Sequence, residues 1–239
     1  MRRALVGTAF TAIALLAIAQ PANAAPRPAP AGLGSATTTT DKNASATWVS
    51  DPTSTAAGFT QRIWQVQFDV FSSLPDAIVL NVSSCVDYYD SNMTFKKETC
   101  TAGGITSGFT STVDAANLTH ASVSASGIPA QTCSTDANFQ PIGQCKPAAP
   151  MSVKATWTGQ GPITYSKYIE YVPGVYRLVI RSKSRGADAS ATFNRKSPTG
   201  QLAFADISYQ ITKEWGSPCG TGSPQRGLTH LINVHPDGC

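Results

Sequence analysis

Between residues 62 and 72 the chain reads RIWQVQFDVFS, with Trp64, Val66, Phe68 and Val70 alternating with Gln65, Gln67 and Asp69. A period of two sends successive side chains to opposite faces, so this stretch buries its apolar half only as one face of a β-strand. The alternation returns at 176–185, where Tyr176, Leu178 and Ile180 stand against Arg177, Arg181, Lys183 and Arg185. Shorter versions occur at 44–50, 77–84, 153–157 and 189–193. Charged residues are few while Ala, Thr, Ser and Gly are many, which suits short strands and turns better than long helices. The expected fold class is all-β and antiparallel.

The N-terminus sets the compartment. Arg2 and Arg3 precede an uncharged apolar run from Ala4 to Ala19, followed by Pro21 and Ala22-Asn23-Ala24, the pattern of a secretory signal peptide at residues 1–24 cleaved near Ala24. Its apolar core is shorter than the roughly 20 residues of a membrane span. The mature chain is therefore expected to be secreted. Residues 25–42 run from a Pro/Ala stretch into four threonines and read as a disordered linker.

Six cysteines follow, at 85, 100, 133, 145, 219 and 239. An even number in an exported chain reads as disulfides, and the spacing suggests local couples: Cys85 with Cys100, Cys133 with Cys145, Cys219 with Cys239. Sequence alone does not fix that connectivity. Zinc is disfavoured by the absence of any C-x-x-C and of nearby histidines.

Two blocks share an order of landmarks. Ala46-Thr47-Trp48 matches Ala155-Thr156-Trp157, Pro75 matches Pro173, Leu80 matches Leu178, and Leu118 matches Leu202, each block ending in a paired-cysteine tail. This order reads as a divergent duplication with insertions in the first copy. The expected organisation is two tandem immunoglobulin-like antiparallel β-sandwich modules, 43–148 and 149–239. Five recognisable strands per module fall short of a seven-stranded sandwich, which leaves open a core shared between them. Residues 101–112 and 146–150, rich in Gly and Pro respectively, read as links.

Catalytic signatures are sparse. G-x-S-x-G and a Gly-Asp-Ser-Gly nucleophile are absent, and of the three histidines His120 stands alone while His230 and His235 lie near Asp237 in a polar C-terminal loop. His120 reads as a structural histidine, and the two others as residues of a polar tail. All six cysteines have plausible partners, which argues against cysteine catalysis. The acids and amide at 87–92 could begin a calcium site without completing one. Trp48, Trp64 and Trp157 sit on apolar faces and read as core, leaving Trp215 as the exposed indole. No cofactor and no metal is implied.

The positive hint is charge. Residues 26–150 carry six Lys/Arg against nine Asp/Glu, a net of −3, whereas 151–215 carry nine against four, a net of +5. Arg177, Arg181, Lys183 and Arg185 project from one face of a single strand and could meet a polyanion or an acidic protein. The bland alternative is a solvated sheet face. The expectation is a secreted, non-enzymatic extracellular or cell-surface binding protein, more binding module than enzyme. Two alternatives are a secreted hydrolase with an unrecognised site and a proteinase inhibitor presenting a disulfide-braced loop such as Cys133 to Cys145.

Overall fold

The computed structural model describes residues 36–72, 78–172 and 176–216. Eleven strands make up their regular structure: β1 (Thr37–Val49), β2 (Thr53–Thr55), β3 (Gly58–Phe71), β4 (Ile78–Tyr89), β5 (Phe95–Ile105), β6 (Thr110–Val113), β7 (His120–Asp136), β8 (Lys146–Gly159), β9 (Thr164–Val172), β10 (Tyr176–Phe193) and β11 (Gln201–Gly216). All pair antiparallel, in the order β1-β11-β10-β8-β7-β5-β4-β3-β2. A further pairing of β1 with β3 closes this path into a ring of eight strands in chain order. The result is an up-and-down barrel, with β2, β6 and β9 attached to β3, β7 and β10. A barrel of eight strands is just wide enough for its interior to be filled by side chains.

The alternation decides what goes inside. Ala44, Ala46 and Trp48 of β1 face Phe68, Val66 and Trp64 of β3, and Ala44 and Ala46 face Ile207 and Ala205 of β11. All of these are buried, together with Leu80, Val82, Val123, Val153, Ala155, Trp157, Ala191 and Phe193. The small alanines of β1 leave room for Trp157, which reaches across the interior and donates its indole N–H to the Ser45 carbonyl at 2.8 Å. Its ring meets Phe68 edge-on at 5.6 Å, and Trp48 meets Phe193 likewise at 6.0 Å. Such pairs add about 0.5–1.5 kcal/mol beyond their buried area. Toward the β5–β7 end the inner wall turns polar, where Thr99 pairs with Ser134 and Thr101 with Thr132 through their hydroxyls.

Two disulfides form as the spacing suggests. Cys85–Cys100 ties directly opposed residues of β4 and β5, and Cys133–Cys145 closes the β7–β8 loop. The couple Cys219 and Cys239 lies outside the described residues, as do residues 1–24, expected as a signal peptide, and His230 and His235.

The structure differs from the sequence expectation in its domain organisation. Strands of 43–148 and of 149–239 pair with each other twice, β7 with β8 and β1 with β11, and Trp48 and Trp157 share one core cluster. In place of two sandwiches there is one ring. The first stretch supplies five of its strands and the second three, and each covers its apolar face with the other. β1 also begins at Thr37, inside the stretch 25–42 expected as linker. The Gly-rich link is strand as far as Ile105: a Cβ on Gly103 would lie 2.3 Å from the Pro129 carbonyl oxygen, so only glycine lets β7 approach. The Pro-rich link 146–150 is the start of β8, where β10 has not yet joined and a missing N–H leaves no gap on that side. Residues 189–193, expected as a separate strand, continue β10.

Candidate functional site

At one end of the barrel the sheet outgrows the ring. Residues 176–184 of β10 pair with β11 on one side and with β9 on the other, so β9, β10 and β11 form a lip whose inner face continues the barrel's inner wall. Register fixes the content of that face. The odd-numbered residues of β10 share it with Ile207, Tyr209, Ile211, Lys213 and Trp215 of β11 and with Tyr165, Lys167, Ile169 and Tyr171 of β9. It contains Arg177, Arg181, Lys183 and Arg185 of the sequence-predicted row, adds Lys167 and Lys213, and holds no acid on these three strands.

The four predicted residues divide by position. Arg185 and Lys183 sit at the barrel mouth and brace the 114–118 turn: Lys183 Nζ donates to the Ala116 carbonyl at 2.7 Å, and Arg185 donates to the carbonyls of Gly161 and Asn117 at 3.0 and 3.2 Å. Beneath them Leu118, fully buried, plugs the mouth. The turn is held by Asp114, which accepts from the backbone N–H groups of Ala116, Asn117 and Thr119 and from the Thr119 hydroxyl. These bonds draw the carboxyl down to about 2. Farther out, Arg177 lies over its cross-strand partner Trp215 at 5.1 Å. Arg181 is exposed and directly opposite exposed Lys167. Neither forms an ion pair among the described residues, nor does exposed Lys213. Like charges placed opposite each other on neighbouring strands cost about 0.2–1 kcal/mol.

The acids occupy the opposite face. Glu170, Glu214, Asp206, Asp41 and Asp69 all belong to the outward registers of β9, β11, β1 and β3. Burial pushes Asp41 up to about 7, with the Asp69 charge adding to it. Burial also raises Asp69 and Asp206, opposed by hydrogen bonds from Asn43 and Gln67 to the first and from Ser45 to the second. On the same face Tyr176 is buried, and its phenol is raised by burial and by the charges of Glu214 and Glu170. Across the lip, charge is thus segregated through the thickness of the sheet. The sequence shows the basic row on one strand, but the cations and rings contributed by β9 and β11 emerge only once the registers are known.

Other sequence candidates resolve differently. Asp87 and Glu98 are direct partners across β4 and β5 and share a side-chain hydrogen bond; burial raises both carboxyls. Asp90 does not join them: its carboxylate accepts from the Asn92 and Thr94 N–H groups and pairs with Lys96 at 2.9 Å. His120 is exposed at the start of β7. The Cys133–Cys145 loop does expose Phe139, but the tip turns back with φ of 58° and Phe139 stacks on Phe95 at 5.5 Å. Trp48, Trp64 and Trp157 are buried, and Trp215, expected to be exposed, is half-covered beneath Arg177.

Comparison with family models, curated proteins and solved structures finds no match to this chain. Among the described residues no helix is long and apolar enough to cross a membrane.

Proposed function

We propose that this is an exported, non-enzymatic binding protein whose β9–β10–β11 lip takes a polyanionic polymer. One observation carries the reading: Arg181 and Lys167, direct cross-strand partners, stand exposed and without an ion pair among the described residues, on a face whose three strands supply no acid. An arrangement that costs stability in the free protein is relieved when an anion sits between the two cations. Tyr165, Tyr171 and Trp215 on the same face supply flat surfaces against which the rings of such a polymer can rest. The reading retains the signal peptide at 1–24 and the disulfides as signs of an extracellular setting. It also retains the duplication, with Trp48 and Trp157 as equivalent positions that meet in one interior.

Immobilised long-chain polyphosphate provides the test. Lys167→Ser/Arg181→Ser is expected to weaken binding at least tenfold and to flatten its dependence on salt. Lys146→Ser/Lys154→Ser removes the same charge from exposed positions on β8 and is expected to leave binding nearly intact. Equal weakening by both pairs, or by neither, rejects the lip as the site.

A further inference from the structure

The geometry points to a second copy of this chain as the partner of the free edge of β9, joined to it in an antiparallel, two-fold pairing centred on Ile169. Among the described residues β9 pairs with β10 alone, so its other edge presents backbone donors and acceptors that no described strand pairs. That edge is apolar: Tyr165, Tyr168, Ile169 and Tyr171 are exposed by 72, 54, 48 and 43 %. Long apolar edges of this kind are normally blunted by proline, bulges or several charges, whereas β9 has only Lys167 and Glu170.

The sequence of β9 selects both partner and register. A two-fold axis perpendicular to the sheet maps each face onto itself, so only residues of like parity can oppose one another. Centring on Lys167 or Glu170 would set that charge against its own copy. Centring on Tyr168 sets Lys167 against the partner's Ile169. Centring on Ile169 sets Lys167 against the partner's Tyr171 and Tyr168 against the partner's Glu170, with Ile169 meeting itself on the axis. The protein already uses this pairing within its own sheet. Lys97 lies over its direct cross-strand partner Tyr88 at 4.5 Å, and Lys183 over its partner Tyr209 at 5.5 Å.

The consequence is a wider platform. Because faces map onto themselves, the two lips join as β11-β10-β9-β9-β10-β11 with both basic faces on the same side. The paired chain then offers one continuous track where each copy alone offers half. A single strand pair is a small contact, under about 1,200 Å², so association is expected in the micromolar range. The pairing itself does not depend on the polyanion reading, and its test uses no ligand.

Light scattering of the mature chain over a concentration series is expected to show the mass rising to about twice that of the monomer. Ile169→Lys sets like charges on the axis and is expected to hold the chain monomeric with an unchanged circular dichroism spectrum. Ile169→Cys is expected to form a reducible covalent dimer under mild oxidation at least tenfold faster than Phe204→Cys, a comparably exposed position at 55 %. A wild type that stays monomeric throughout, or equal cross-linking rates for the two cysteine variants, overturns the proposal. So does a monomer in which the β9 amides facing away from β10 are protected from hydrogen exchange, since that edge is then covered by the chain itself.

Discussion

Asp41→Asn is expected to stabilise the protein at alkaline pH and to do almost nothing at acid pH. Asp41 lies on the outward face of β1, opposite Gln210 of β11 and Phe71 of β3, and its Oδ1 is buried without a hydrogen-bond donor among the described residues. Burial, helped by the Asp69 charge, moves its proton affinity from the ordinary 3.8 to about 7. Between those values the folded chain holds a proton that the unfolded chain has released, so stability falls as pH rises through the window. Below it both states are protonated and no penalty remains; above about 7 the penalty is complete. Each pH unit is worth about 1.4 kcal/mol, giving an upper bound of about 4 kcal/mol. The group is only partly buried, and solvent screening reduces this to about 1–2 kcal/mol. Asparagine keeps the shape and removes the charge. Urea unfolding followed by tryptophan fluorescence should therefore give the variant an advantage of about 1–2 kcal/mol at pH 8 and near zero at pH 4. An equal advantage at both pH values would show that the gain is not electrostatic. No advantage at pH 8 would show that the carboxylate carries no burden.

Three further substitutions probe the mouth, the disulfide end and the lip. Gly159→Ala places a Cβ 2.1 Å from the Leu118 carbonyl oxygen and 2.9 Å from Arg185 Cδ; it is expected to cost about 1–3 kcal/mol, read as a lower urea midpoint. Cys85→Ser/Cys100→Ser opens the link between β4 and β5 and is expected to cost about 2–4 kcal/mol, a difference from wild type that should vanish in urea unfolding once both proteins are fully reduced. Polyphosphate is expected to change the tryptophan emission of the wild type through Trp215, the lip indole beneath Arg177, and Trp215→Phe should abolish that change while leaving the emission of the three core indoles.

The local structure was readable because it is written locally. Residues 62–72 carry their strand in their own alternation, and Trp64, Val66 and Phe68 enter the core as that pattern requires. Cys85 and Cys100 are close in sequence and oppose each other across one hairpin. The closure of the ring is written nowhere locally. It depends on β1 finding both β3 and β11, and neither pairing leaves a mark on 37–49 beyond an ordinary strand. Gly103 and Pro147 misled for a related reason. Their strand positions are tolerable only because of a neighbour, Pro129 in one case and an absent β10 in the other. The basic row was visible on β10, but the side it faces was not. Alternation says which residues share a face without saying which face looks inward, so the bracing role of Lys183 and Arg185 and the contributions of Lys167 and Lys213 appear only with the register.

The position of β1 has a consequence for how the molecule is made. One of its edges is completed by β3, close behind it in the chain, but the other waits for β11: the Ser45 hydroxyl reaches Asp206, 161 residues further on, at 2.6 Å. Contacts between such distant segments form slowly. Until residues 201–216 have emerged, both β1 and β10 present open edges to any other chain nearby. Fitting the last strand therefore acts as a seal: a truncated chain keeps two adhesive margins, whereas a finished chain hides both at a single stroke and leaves, among the described strands, β2, β6 and β9 at the border.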